Sequence, residues 1–201
     1  MTTLLQINAS INNDDGQSSQ LANRFVAAFR ASHPEARVVV RNVAAGEPVP
    51  HLNAERFGAF ITKPEARSAS QHAVVAYSDA LIDELKHAQV IVIGLPMYNF
   101  GVPSQLKAYF DHIARAGITF EYSANGPVGK LTGKKVYVFA ARGGQYSGTP
   151  LDTQTSYVRD FLAFLGMTDV EFVYAEGLAM SAESKQAGLA KAVEQIARLA
   201  A

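Results

Sequence analysis

Residues 96–101 place three apolar side chains around one asparagine, Asn99. The three are Met97, Tyr98 and Phe100. A loop of this size normally runs over the surface and is polar, so these side chains cost free energy unless something flat and apolar covers them. Asn99 offers both a donor and an acceptor. Apolar faces beside such a group suit a planar heteroaromatic ring, and a flavin is the leading candidate. The alternative is a loop packed on its own domain or on a second subunit.

Loop 10–18 follows an apolar run and leads into a helical pattern. Helix N-termini bind phosphate because free N–H groups and the helix dipole point at the anion. Neutral donors in and beside the loop are Ser10, Gln17, Ser18 and Ser19. The loop has no Lys or Arg, and we expect Asp14 and Asp15 to face solvent because they would repel phosphate. The alternative is ordinary capping of the helix by Ser18 or Ser19.

Loop 141–150 follows another apolar run and begins Ala141, Arg142, Gly143, Gly144. Paired glycines let the backbone approach a ligand closely. Their amides could donate to the pyrimidine edge of a flavin, where negative charge grows on reduction, by the electrostatic principle of an oxyanion hole. The alternative is a tight turn that leaves the strand.

Five short apolar runs alternate with helical patterns along the chain. The runs are residues 4–7, 38–40, 90–93, 136–140 and 170–174. This alternation predicts a single α/β domain over residues 1–201, with a parallel five-stranded sheet in the flavodoxin-like order 2-1-3-4-5 and helices on both faces. Ligands of such sheets bind at the carboxyl ends of the strands, near the point where the strand order reverses. The rule selects the three loops described above.

Two segments exceed ordinary connections, residues 43–70 and residues 117–133. The first is rich in Gly and Pro, with room for a short helix near residues 54–60. The second reads as a strand, a turn at Asn125–Gly126 and a return. Long ordered loops in compact domains tend to be functional, so we expect these segments to wall a substrate pocket or reach a second subunit.

The composition excludes several classes of function. Lys plus Arg and Asp plus Glu both number 18, so no basic excess attracts nucleic acid. The lack of cysteine excludes thiolate nucleophiles and Fe–S clusters, so a redox reaction would need a bound cofactor. The five histidines show no metal-ligand spacing. No stretch approaches the roughly 20 apolar residues of a membrane span, and no signal peptide is visible, so we expect a cytoplasmic protein.

The chain resembles the FMN-dependent, NAD(P)H-dependent azoreductases, a branch of the flavodoxin-like quinone reductases. The strongest parts are PMYNFGVPSQLKAYFDHIARAG (96–117), TFEYSANGPVG (119–129) and MTDVEFVYAEG (167–177). The resemblance implies that the FMN phosphate is held by Ser10, Gly16, Gln17 and Ser18. It implies that the isoalloxazine ring is flanked by Met97, Tyr98, Asn99 and Phe100. It implies that the polar edge of the ring is bound by Ala141, Arg142, Gly143 and Gly144.

The chain departs from the family at two of these positions. The family often has Ser or Thr where Ala141 stands, and Gly16 lacks a hydroxyl that could serve in relatives; backbone donors could suffice at both positions. Members of the family are homodimers with two active sites at the interface, each built from both chains. By resemblance, the residues that cover the substrate pocket are Phe120, Phe161 and Leu162.

The expected function is an FMN-dependent NADH or NADPH:quinone oxidoreductase that also cleaves aromatic azo compounds. One slot for both substrates implies ping-pong kinetics with one tightly bound FMN per subunit. No protein residue need act as a nucleophile, because the cofactor carries the chemistry. The alternatives are a flavodoxin-like one-electron carrier and a flavin-binding redox regulator. The sequence does not choose between NADH and NADPH, and it does not identify the physiological acceptor or the proton donor.

Overall fold

A computed structural model describes residues 1–200 and contains a five-stranded parallel sheet and a separate two-stranded hairpin. The strands are β1 (Thr3–Asn8), β2 (Arg37–Asn42), β3 (Val90–Pro96), β4 (Phe120–Ser123), β5 (Gly126–Gly129), β6 (Lys135–Ala141) and β7 (Asp169–Ala175). The order in the large sheet is β2-β1-β3-β6-β7. The predicted order is therefore confirmed, with β6 and β7 as the fourth and fifth strands of this sheet.

Helices cover both faces of the sheet, as predicted. They are α1 (Gln17–Ser32), α2 (Ala54–Ile61), α3 (Ala69–His87), α4 (Ser104–Ile113), α5 (Thr155–Phe164) and α6 (Ala182–Leu199). On one face α1 and α6 bury Phe25 and Ile196 against the sheet. On the other face α3, α4 and α5 bury Leu81, Phe110 and Leu162. Within residues 1–200, none of the helices is both long enough and apolar enough to cross a membrane.

The start of α1 differs from the capping expected at Ser18 or Ser19. The helix begins at Gln17, and Gly16 occupies the cap position without a side-chain hydrogen bond. Both serines lie inside the first turn with buried side chains, so the capping alternative is wrong. Asp14 and Asp15 are exposed, as expected, in a short 3₁₀ turn before the helix.

The two long segments form ordered structure. The first contains α2 and is tied to α4 by a hydrogen bond of 2.9 Å between Nε2 of His112 and the carbonyl of Pro50. The second forms the antiparallel hairpin β4–β5, whose turn has Gly126 at a φ of 108°. The short helix near residues 54–60 and the turn at Asn125–Gly126 are thus confirmed.

Candidate functional site

The three loops meet at the carboxyl ends of β1, β3 and β6, which are adjacent in the sheet. Loop 10–18 contacts loop 96–101 because the hydroxyls of Ser10 and Tyr98 share a hydrogen bond of 3.3 Å, and the amide of Ile11 donates to the same Tyr98 hydroxyl at 3.2 Å. Loop 96–101 contacts loop 141–150 because the amide of Met97 donates to the carbonyl of Ala141 at 3.0 Å. The topology therefore brings together the loops that the sequence selected.

The N-terminus of α1 has donors without partners. The hydroxyls of Ser18 and Ser19 are buried and make no hydrogen bond within residues 1–200. Such orphaned groups cost free energy in a folded protein unless a ligand satisfies them. Within loop 10–18, the backbone of Gly16 lies so close to Ser10 that a Cβ atom at position 16 would stand 2.1 Å from Oγ of Ser10. This cradle of free amides, hydroxyls and close backbone fits a phosphate group.

Loop 96–101 contains a tight turn. The amide of Tyr98 donates to the carbonyl of Gly101 at 3.2 Å, and the amide of Gly101 donates back to the carbonyl of Tyr98 at 2.9 Å. The two residues between them, Asn99 and Phe100, have φ angles of 48° and 63°. Positive φ at both central positions is the geometry of a type I′ turn, which Gly, Asn and Asp tolerate and which is strained at Phe100. The turn leaves the Phe100 ring 48% exposed beside Tyr146.

Arg142 does not direct its side chain at the loops. Its guanidinium is fully buried and pairs with Asp152 at 2.8 Å and with Glu176 at 3.2 Å, above the ring of Tyr174. Its backbone amide is also used, because it donates to the carbonyl of Ala175 at 2.9 Å. Any contribution of Arg142 to ligand binding is therefore indirect, through the shape of loop 141–150.

The burial of Asp152 and its hydrogen bonds change the pKa of its carboxyl group in opposite directions. Burial raises the pKa of this carboxyl, but hydrogen bonds from Arg142 and Thr155 outweigh that effect and hold the pKa below its usual range. The carboxylate is therefore charged at neutral pH, and the ion pair with Arg142 is intact.

Gly143 and Gly144 provide the remaining donors of loop 141–150. Their carbonyls accept hydrogen bonds from the amides of Ala179 and Gly177, both at 2.9 Å. Their own N–H groups donate no hydrogen bond within residues 1–200, so they are available to a ligand. Ala141 at the end of β6 is buried and contributes a methyl group with no polar atom. The structure therefore keeps two backbone donors where the sequence predicted them.

A cleft of about 670 Å³ lies against loop 96–101. Its lining includes Ile11 from loop 10–18, Met97, Tyr98 and Asn99, and Gln105 from α4. A second cleft of about 860 Å³ lies between residues 145–149 and α6, and none of the residues expected to flank a ring line it. The first cleft is the candidate site because it joins two of the three loops.

The three apolar residues expected to cover the pocket lie elsewhere in the chain. Leu162 is 2% exposed and belongs to the core. Phe120 is buried and packs on Phe164 with ring centroids 4.3 Å apart. Phe161 is partly buried and stacks on Phe110 at the same centroid distance, 4.3 Å. Within one chain, none of them lines the cleft against loop 96–101.

Sequence reasoning missed one functional neighbour of the site. Gln154 is fully buried, and its side-chain amide donates to the carbonyls of Pro96 and Gly101, both at 2.9 Å. Nothing in the spacing of the chain connects it with a loop more than fifty residues earlier. The described residues contain no group of three or more His, Asp or Glu side chains that could hold a metal ion.

The chain is similar in sequence to a known protein family and to named proteins. A family model described as "Flavodoxin-like fold" matches residues 2–200. A Burkholderia lata protein named FMN-dependent NADH:quinone oxidoreductase 6 is 56% identical over 197 residues, which cover 98% of this chain and 99% of the relative. A Cellvibrio japonicus protein named FMN-dependent NADH:quinone oxidoreductase is 55% identical over 191 residues, covering 95% of this chain and 96% of the relative.

The chain is also similar to solved structures of azoreductases. An azoreductase from Bacillus anthracis superposes with a TM-score of 0.90 at 28% identity and covers 100% of this chain and 99% of the other. An FMN-dependent NADH-azoreductase of the same species, solved in complex with FMN, superposes with a TM-score of 0.87 at 27% identity over 100% of both chains.

Proposed function

Because the chain belongs to the family of the FMN-dependent NADH:quinone oxidoreductases, we propose that it takes electrons from NADH and delivers them in pairs to quinones and aromatic azo compounds. One observation in the structure carries this proposal. The buried, unpartnered hydroxyl of Ser18 lies at the N-terminus of α1, and the strained turn at Asn99 and Phe100 follows β3, the strand next to β1. Loop 10–18 with the N-terminus of α1 forms a phosphate cradle, and loop 96–101 forms what we name the ring platform. The two lie at the ends of neighbouring strands and match the phosphate and the ring of FMN.

Bound FMN supplies the acceptance and donation of hydride, which no side chain here can provide. The chain binds and orients this one tightly held cofactor per subunit. The phosphate is held by Ser10, Gly16, Gln17 and Ser18. The ring is flanked by Met97, Tyr98, Asn99 and Phe100. The N–H groups of Gly143 and Gly144 stabilise negative charge at the polar edge, and loop 141–150 is shaped by Ala141 and Arg142.

The substrates share one slot above loop 96–101, so donor and acceptor bind in turn and the kinetics are ping-pong. We take NADH as the donor, in agreement with the names of the relatives. The cleft supports this choice because none of its lining residues is Lys or Arg, so a 2′-phosphate would find no charged partner there. A cytoplasmic location, where NADH is available, is part of the same proposal.

The site is completed by a second copy of the chain. One chain leaves the ring platform open, with Phe100 and Ile11 about half exposed. By resemblance to the azoreductases, the partner of a homodimer covers this opening with Phe161, whose side chain is only partly buried. Phe120 and Leu162 are not retained as cover residues because both side chains are buried within their own chain.

An anaerobic titration with NADH tests the proposed function. The FMN-reconstituted protein is expected to lose its visible flavin band in one two-electron step, and added benzoquinone is expected to restore it. Repetition with NADPH ranks the two donors. Bound FMN that neither nucleotide reduces would favour an electron carrier or a regulator. Failure to bind FMN would refute the assignment of all three loops.

A further inference from the structure

Four consecutive side chains just before and at the start of α5 contact the two loops that hold the ring. We name residues 152–155 the anchor segment. Asp152 and Thr155 bind the guanidinium of Arg142 at 2.8 Å and 3.1 Å. The hydroxyl of Thr153 donates to the carbonyl of Phe100. The anchor segment therefore connects loop 141–150 with loop 96–101.

Gln154 makes the most extensive contact of the anchor segment. Its side chain is fully buried, and its amide nitrogen donates to the carbonyls of Pro96 and Gly101 at 2.9 Å each. These carbonyls mark the two ends of loop 96–101. Both amide hydrogens are used on this loop, while the side-chain oxygen has no partner within residues 1–200. The contact thus favours one arrangement of the loop at the cost of an unsatisfied acceptor.

The loop needs such a restraint because its turn is strained. Asn99 and Phe100 have positive φ angles; asparagine tolerates this region, whereas it costs roughly 1–2 kcal/mol for a residue such as Phe100. Strained conformations of this kind persist only where the surrounding structure over-determines them. The two hydrogen bonds between Tyr98 and Gly101 lie within the turn and are available to an isolated loop as well. The bonds from Gln154 come from outside the turn and fix it relative to the sheet.

We propose that Gln154 is a positioning residue that holds loop 96–101 in the conformation that receives the flavin ring. The inference rests on the proposed function, because it assumes that this loop flanks FMN. It adds a residue that contacts neither cofactor nor substrate and acts through the backbone of Pro96 and Gly101. Preorganisation of this kind saves the ordering cost that a flexible site would pay on binding.

Two consequences separate positioning from a simple contribution to folding. Loss of the Gln154 amide leaves the turn free to relax, so FMN must order it and binds more weakly. The hydrogen-bond donors of the turn also move relative to the ring, which changes the reduction potential of the FMN that still binds. A residue that only stabilises the fold would lower the melting temperature without changing that potential.

The experiment compares Gln154→Leu with Gln195→Leu in the full-length protein. Gln195 is the control because its amide, in a partly buried side chain, likewise donates to two oxygens, the Phe172 carbonyl at 3.2 Å and the Glu171 carboxylate at 3.3 Å, between α6 and β7 and away from the three loops. FMN dissociation constants are measured by fluorescence quenching on the apoproteins, and reduction potentials on the reconstituted proteins. We expect about a tenfold weaker FMN affinity and a shifted potential for Gln154→Leu, as the loss of a buried hydrogen-bonding group implies. Gln195→Leu should match the wild type in both.

Wild-type FMN affinity and potential in folded Gln154→Leu would overturn the inference, as would an equal loss in Gln195→Leu. If Gln154→Leu does not fold, Thr153→Val provides the second test, because this exposed residue loses only its hydrogen bond to Phe100. It should weaken FMN binding in the same direction by a smaller factor, and unchanged binding would contradict the proposal. A wild-type protein that does not bind FMN would refute the proposed function instead.

Discussion

The hydroxyl of Ser18 has opposite effects on the stability of the free protein and on ligand binding. Ser18 is buried without a hydrogen-bond partner in the first turn of α1. An unsatisfied buried group costs about 1–3 kcal/mol, so Ser18 destabilises the free protein. The same hydroxyl becomes a satisfied donor once a phosphate occupies the helix N-terminus. Stability and binding should therefore respond to its removal with opposite signs.

Replacement Ser18→Ala tests this opposition. We expect the melting temperature of the apoprotein to stay equal or rise, because an unpaired polar group is lost. We expect the affinity for FMN to fall about tenfold, the loss of one hydrogen bond to a charged group. Fluorescence titration and thermal unfolding measure the two effects. Ser32→Ala, at the far end of the same helix, is the control and should leave FMN affinity unchanged. Lower stability together with unchanged FMN binding would contradict the assignment.

Two connecting segments of this chain are held in place by particular local interactions. Loop 96–101 adopts its turn through two residues that are not glycine, and segment 43–70 is tied to α4 by the contact between His112 and Pro50. Each element depends on a backbone conformation or a protonation state that can be changed separately.

The conformation of the turn can be separated from its side chain at Asn99. Glycine accepts the positive φ of this position, whereas β-branched valine does not. We expect Asn99→Val to unfold more easily than Asn99→Gly by about 1–2 kcal/mol, as judged by urea denaturation of the apoproteins. Both variants lose the amide side chain, so a difference between them reports backbone strain. Equal stabilities would mean that the turn has another conformation in solution.

The burial of His112 predicts a dependence of stability on pH. Burial lowers the pKa of His112 in the folded protein, and the nearby Arg56 adds to this effect; together they outweigh the hydrogen bond to the Pro50 carbonyl and the charge of Asp111, which both raise the pKa. The unfolded chain, with an ordinary pKa near 6.5, therefore binds a proton more readily than the folded chain. The free energy of unfolding should be fully retained above that pH and fall as the pH drops below it, by at most about 1.4 kcal/mol per pH unit.

The control for this effect is His112→Gln, which keeps a donor for the Pro50 carbonyl but does not titrate. The other four histidines, at positions 33, 51, 72 and 87, are exposed, so the difference between the two proteins isolates His112. Urea denaturation between pH 5 and pH 8 should give a steeper loss at low pH for the wild type. Parallel curves would show that His112 is not buried neutral in solution.

At the scale of the whole molecule, a single chain leaves its ring platform open, so the proposed active site needs two copies. If each site combines the loops of one chain with Phe161 of its partner, two defective variants should restore each other when mixed. Gly16→Ala damages the loops of its own chain, because the added Cβ would collide with Ser10. Phe161→Ala leaves the three loops of its own chain unchanged and removes the cover from the site of the partner; the loss of its stacking on Phe110 is checked by thermal unfolding.

Random mixing of these variants makes half of the dimers mixed, and each mixed dimer has one intact site. We therefore expect about a quarter of the wild-type quinone reductase activity from two proteins that are each nearly inactive alone. The assay follows NADH oxidation after co-refolding in equal amounts. The same variants as separately purified, unmixed proteins serve as the control. Activity no higher than their average would show that Phe161 serves its own chain or no site.

The strand order and the position of the three loops could be predicted from the amino-acid sequence alone. Alternating apolar runs and helical patterns are local signals, and the handedness of parallel crossovers leaves few topologies for five strands. The exposure of Asp14 and Asp15 and the hairpin turn at Gly126 are likewise confirmed, because charge and backbone freedom act at the residue itself. The cofactor class followed from residue types together with the family resemblance.

The side chains that face the site could not be predicted from the sequence, because their orientation depends on contacts between distant elements. Arg142 stands among the predicted ligands, yet its guanidinium is buried on two carboxylates, and Leu162 is part of the core. Gln154 carries no signal in the sequence, because its partners Pro96 and Gly101 lie 58 and 53 residues away along the chain. Such contacts exist only after the sheet has brought α5 beside the end of β3. Local patterns specify elements, whereas hydrogen bonds between distant elements depend on how those elements pack.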